Sequence, residues 1–277
     1  MTVPVIMDRV IRTAAFGVRF RDVATDTFVS EGLEVSLCPD SEPSSRVLAT
    51  AGPSGVFSVH LERKGSFTVE VVDLLSRFVP FKFKVQLPTQ GLFSWVSPSG
   101  SPLAETSSVP IYSSATRPPL NAMAVIRADV HDAIQNQPAS FAVMEAALDG
   151  RLVARGIADD RGRVALIFPY PAPVAFPASS PVTSPVGPRG PALRDQVWPL
   201  TISVKYYPQA VAPDAPDLWV ILQQPLATAW ADSSLTRPFS ELPLRYGIES
   251  VLKSAVSSSS PPSRRSVLLV TPAVSPL

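Results

Sequence analysis

Gly52-Pro53-Ser54-Gly55-Val56-Phe57-Ser58-Val59 and Asp159-Asp160-Arg161-Gly162-Arg163-Val164-Ala165-Leu166 carry one pattern twice. Turn-forming residues lead to a glycine, and the glycine opens a run in which apolar side chains fall at every second position, the period of a strand buried on one face. With Gly55 laid on Gly162, the preceding strand Leu33 to Leu37 corresponds to Phe141 to Glu145. The following strand, Phe67 to Val71, corresponds to Leu200 to Val204. The two halves therefore share one strand order.

The same alternation spreads outward from these hairpins. Phe16, Val18 and Phe20 form one inward set, and Phe81, Phe83, Val85 and Leu87 another, with Arg19, Lys82 and Lys84 between them on the solvent side. Such strands are those of antiparallel sheets packed through one face. Proline supplies 31 of the 277 residues and charged residues only 17%; proline interrupts helices, so strands and extended loops are favoured throughout. The fold class expected is all-β, as two tandem Ig-like or transthyretin-like β-sandwich domains.

Residues 1–95 make the first sandwich and 96–121 a Pro/Ser-rich connector in which Ile111 and Tyr112 are among the few apolar anchors. Residues 122–277 make the second sandwich, with a Pro-rich insertion at 169–199. That insertion reads either as an arm laid on a neighbouring surface or as a tolerated surface loop. Leu218 to Leu222 reads as a strand with Trp219 in the core. Val267 to Val270 reads as a C-terminal strand, closing a hairpin with Ile248 to Leu252 or adding to the sheet edge of another subunit.

Lys plus Arg total 24 against 23 Asp plus Glu, a net charge of +1. No overall field draws the chain to nucleic acid or to an anionic membrane. Cys38 is the only cysteine, so no internal disulfide framework exists and a reducing compartment is expected. Asp8, Arg9 and Arg12 stand where a signal peptide would be apolar, and no hydrophobic run is long enough to span a bilayer. The expected localisation is cytoplasmic, without membrane insertion.

The residues that could carry chemistry are few and scattered. His60 and His131 lack paired-ligand spacing, and Cys38 has no cysteine neighbour, so no zinc pattern forms. Ser54 follows a proline and links two strands, which is unlike a strand-to-helix nucleophile elbow. Asp159 and Asp160 are too few carboxylates for calcium and suit a hairpin turn. The glycines form no phosphate-binding loop. Catalytic, metal and cofactor sites are therefore all read as none, and the chain as no enzyme. Trp95, Trp198, Trp219 and Trp230 leave a carbohydrate-binding or adhesive module as the alternative function.

The repeated unit resembles the carboxypeptidase regulatory-like, or transthyretin-like, sandwich, whose members usually serve as non-catalytic scaffolds. A second resemblance covers most of the chain. Gln137-Pro-Ala-Ser-Phe-Ala-Val-Met-Glu145, the run from Gly150 through Asp159-Asp160-Arg161-Gly162, Phe168-Pro-Tyr-Pro171, Leu244-Arg245-Tyr246-Gly247 and Val267 to Ala273 are similar to proteins associated with phage-tail-like contractile injection systems. That resemblance implies a structural component of a symmetric particle assembled in the cytoplasm. It implies a cap-end adaptor with tube, sheath or cap proteins as partners, or else a baseplate accessory protein of the same particle.

Overall fold

The computed structural model describes residues 14–61, 63–89, 91–96, 107–173, 192–208, 216–255 and 266–273. The chain is all-β, in two tandem sandwich modules. The first contains β1 (Phe16–Val18), β2 (Phe20–Asp22), β3 (Thr27–Val29), β4 (Leu33–Pro39), β5 (Val47–Leu48), β6 (Thr50–Ala51), β7 (Phe57–Val59), β8 (Gly65–Asp73), β9 (Phe81–Leu87) and β10 (Val109–Ile111). One layer has the order β5-β4-β8-β9. The other is made of β1-β7-β6 and β10-β2-β3, joined through Arg19 between β1 and β2. Alternation sends Phe16, Val18, Phe20, Leu37, Phe57 and Val69 into the space between the layers, all buried.

β10 lies inside the stretch expected to be connector. It pairs in parallel with β2, Val109 beside Phe20 and Ile111 beside Asp22, and closes the first module. Val109 and Ile111 are wholly buried, while Pro110 takes the intervening position on an edge strand, where its missing N–H costs no ladder bond. A three-residue strand centred on proline offers too short an alternation to be read from sequence.

The second module contains β11 (Met123–Asp132), β12 (Gln137–Pro138), β13 (Val143–Leu148), β14 (Arg151–Ile157), β15 (Arg163–Pro169), β16 (Val197–Lys205), α1 (Leu218–Leu222), β17 (Leu226–Ala229), β18 (Glu241–Arg245), β19 (Ser250–Leu252) and β20 (Leu268–Thr271). β14, β13, β16 and β18 form one layer, and β15, β11, β19 and β20 the other. β17 pairs with both β16 and β20 and so joins the layers along one side.

Three expectations change here. Leu218–Leu222 is a short α-helix, not a strand. The Asp217 side chain caps it by accepting from the Trp219 and Val220 amides, and burial of Leu218, Ile221 and Leu222 follows helical spacing. A five-residue apolar run has no periodicity that separates the two structures. The C-terminal segment forms no hairpin with Ile248 to Leu252: β19 and β20 both run parallel to β11, end to end along the same strand. Finally, the inward residues around β13 are Ala142, Met144 and Ala146, whereas Val143 faces the first module and Glu145 faces outward. Leu33 to Leu37 therefore matches Ala142 to Ala146, one residue later than expected, and a one-residue slip exchanges the faces of a strand.

The repeat itself is structural. Gly55 and Gly162 have φ of +72° and +76°. The Gly55 amide donates to Gly52 O and the Gly162 amide to Asp159 O, both at 3.0 Å. Val18 pairs with Phe57 as Ala128 pairs with Val164, and Ile111 lies beside Asp22 as Val270 lies beside Asp132.

Candidate interaction surface

The residues most able to carry chemistry are apart. His60 is exposed just past β7, and His131 is half-buried on β11. Cys38 is a free, half-buried thiol on β4, and burial followed by the Glu70 carboxylate pushes it up from its ordinary value. Ser54 is an exposed turn residue. Asp159 Oδ1 accepts from the amides of Arg161 and Arg163, both at 2.9 Å, and Oδ2 binds the Arg163 side chain. Its oxygens are thus occupied by the hairpin, as the turn reading expected. Among the described residues no group of three or more His, Cys, Asp or Glu side chains is placed to hold a metal ion.

One buried and one part-buried charge cluster escaped the sequence reading because their members are far apart in the chain. Asp22, at the end of β2, accepts from both terminal guanidinium nitrogens of Arg117, at 3.0 and 2.6 Å, and from the Ala24 amide at 2.9 Å. Burial works against this carboxylate, but those bonds outweigh it and hold the group below the usual carboxylate range. The Phe78 ring lies under Arg117 at 4.7 Å. In the second module Glu145 Oε1 binds Arg155 at 2.7 Å and Lys205 at 3.0 Å. Arg155 also meets the buried Tyr112 of the first module.

The tryptophans do not assemble into one platform. Trp95 and Trp198 are buried at 5% and 2% exposure. Trp198 donates to Ala172 O at 3.1 Å and packs on Tyr170, whose ring lies tilted against Tyr246 with ring centroids 4.6 Å apart. This aromatic stem ties together the two ends of the 169–199 insertion, whose residues 174–191 lie outside the described residues. Trp219 is 41% exposed, on α1, with its ring edge-on to Trp95.

The second module presents an outer sheet face with an uncharged patch. On β16, Trp198, Leu200, Ile202 and Val204 point inward, so Val197, Pro199, Thr201 and Ser203 point out. Pro243 of β18 lies beside Pro199, and Ala147 of β13 beside Thr201. None of these six is charged. Charged residues border the patch on the same face: Glu241 directly beside Thr201 and Arg245 beside Val197 on β18, and Glu145 beside Ser203, the last already paired with Arg155 and Lys205. β18 also exposes a strand edge, but Pro243 and the flanking charges make it a poor template for strand addition. The first module has an open hollow of about 830 Å³ between Asp40 to Glu42 and Arg63 to Phe67. There Asp40 is held by the Ser66 and Thr68 hydroxyls and Glu42 by Arg63.

No family model matches the chain, and no curated protein matches it. Among solved structures, the chain is similar to the TIE protein of Bacillus anthracis, at 9% identity and a TM-score of 0.26, over 88% of this chain and 33% of that one. The chain thus spans about a third of that protein's length. It is also similar to a variant of the shaft pilin SpaA of Lactobacillus rhamnosus GG, at 8% identity and a TM-score of 0.24, over 94% of this chain and 98% of that one. A C-terminal fragment of the pilus adhesin SpaC of the same organism follows at 10% identity and a TM-score of 0.21, over 90% and 99%. No helix among the described residues is long and apolar enough to cross a membrane.

Proposed function

We propose that this chain is a non-catalytic structural component that docks other proteins through its sheet faces, within a phage-tail-like contractile injection particle assembled in the cytoplasm. A cap-end adaptor touching tube or sheath proteins is the position put forward. The particle is suggested by the sequence resemblance between Gln137 and Pro171 and near the C-terminus. Docking rests on one observation, the uncharged patch of Val197, Pro199, Thr201, Ser203, Ala147 and Pro243 on the outer sheet face, bordered by Glu241 and Arg245 on the edge strand β18. An uncharged patch bordered by charge matches the division of protein interfaces into a charge-depleted core and a polar rim. Trp95 and Trp198 are buried and Trp219 alone of the four tryptophans is more than a third exposed, so the alternative carbohydrate-binding reading has one open ring and no platform behind it.

The test is a tagged chain purified from the cells that produce it, alongside Thr201→Arg. Thr201 is exposed, so the arginine is expected to leave the melting temperature unchanged while reducing co-purified tube and sheath subunits at least tenfold. Absence of those subunits from the unaltered chain's eluate removes the particle reading; their equal recovery with Thr201→Arg removes the docking face.

A further inference from the structure

Tandem sandwiches usually behave as separate units joined by small polar interfaces, with relative motion as the default. The junction here is built differently. The apolar cluster that fills the first module contains six residues of the second: Phe141, Val143, Ile157, Leu218, Ile221 and Leu222. All are buried, Val143, Leu218 and Ile221 completely. They reach the first core on the helix α1 and on the face of β13 and β14 turned away from the second module's own core.

We propose that the second module completes the core of the first, so that α1 acts as a plug and the two modules unfold as one cooperative unit. A helix of five residues has no stability of its own, and its position must come from its attachments. Asp217 caps it. Gln224, just beyond it and buried, donates to Phe141 O at 2.9 Å and accepts from the Tyr207 amide at 2.8 Å, which fixes the helix to the second module. On the other side the Lys82 amide donates to Pro216 O at 2.9 Å, with Asp217 bridging to Lys82, so the free edge of β9 is occupied by the chain leading into α1. Trp219 lies edge-on to Trp95, which in turn lies edge-on to Phe83 of β9, each pair with centroids 6.0 Å apart.

Polar groups hold the same junction at its other side. Arg155 of β14 meets Tyr112, which directly follows β10. Arg127 of β11 donates to the carbonyls of Ala115 and Arg117, the latter at 3.0 Å, and pairs with Glu249. The Arg117 side chain is meanwhile bound to Asp22 in the first module. The segment between the modules is therefore fastened at both ends, and pivoting would require a helix, a strand edge and two arginine clamps to separate together. Without α1, Trp95 would lose the Trp219 ring that lies against it.

Hydrogen exchange read peptide by peptide on the full chain in increasing urea tests this. In the unaltered protein, β4, β8 and β9 should lose protection at the same urea concentration as β11, β13 and β15. Ile221→Asp places a charge in the first core; Trp219→Ala is a milder change at a partly exposed position that keeps the chain folded. Both should accelerate exchange in β8 and β9 at least tenfold in the absence of urea, with β11 and β15 less affected, and separate the two transitions. Two separate transitions in the unaltered chain, or Trp219→Ala and Ile221→Asp variants whose faster exchange is confined to the second module, would overturn the proposal.

Discussion

Gly55 and Gly162 share a left-handed backbone in equivalent hairpins, yet only one of them is crowded. A Cβ on Gly55 would meet nothing nearer than Ser30 Oγ at 3.9 Å, whereas a Cβ on Gly162 would fall 2.3 Å from Val130 O. The crowding reflects a closer approach of the hairpin to β11, where the Val130 amide donates to Gly162 O at 2.8 Å.

The two positions therefore respond differently to alanine. Gly55→Ala incurs only the left-handed conformation of a non-glycine residue, about 1 to 2 kcal/mol. Gly162→Ala adds a collision with backbone that cannot rotate away, and about 4 kcal/mol or more is expected, among the larger losses single substitutions cause. Urea midpoints of the two variants check this; equal losses would mean that β11 yields to the new methyl group.

The Asp22–Arg117 pair predicts an acid sensitivity with a definite direction. The folded carboxylate lies below the ordinary range, so its contribution is fully present above about pH 4 and is lost as pH falls through its own lower value. Asp22→Asn should flatten the acid limb of a stability profile measured from neutral pH to about pH 2. Arg117→Ala should do more harm at neutral pH, about 3 to 5 kcal/mol, because it strands a buried carboxylate. The double variant should recover part of that loss, a non-additivity that urea denaturation of all three reads directly.

These residues also show where sequence reading stops. Alternation over five or more residues located β4, β8, β9 and β16 and placed their inward side chains, since a half-buried strand imposes period two on its own composition. The Gly55 and Gly162 hairpins were legible because their turn chemistry is local. The face of β13 was not. Its register is set by Phe141, which adopts φ of +59° at the place Gly32 occupies in the first module, and nothing about phenylalanine announces a left-handed turn. Helix α1 was hidden because what decides it is Asp217 as cap and the first module as cover. Arg117 and Asp22 are brought together by β10, a strand too short to detect, so their pairing had no signal in the chain.

Tyr206, immediately after β16, titrates at the opposite end of the pH scale. Burial, and then the Asp132 carboxylate, push its hydroxyl up to about 12. A tyrosine whose folded value is raised contributes stability that is intact below its unfolded value of about 10 and disappears as pH rises toward the folded one. In the unfolded chain the phenol ionises first, and each unit of pH above that point then favours unfolding. Tyr206→Phe removes this proton and should reduce the loss of stability between about pH 10 and 12, while the buried ring keeps its packing against the second core. Absorbance titration in the ultraviolet should show one phenol fewer ionising late. If Tyr206→Phe unfolds along the same alkaline curve as the unaltered chain, the phenol is reached by solvent and the Asp132 contact does not shape its ionisation.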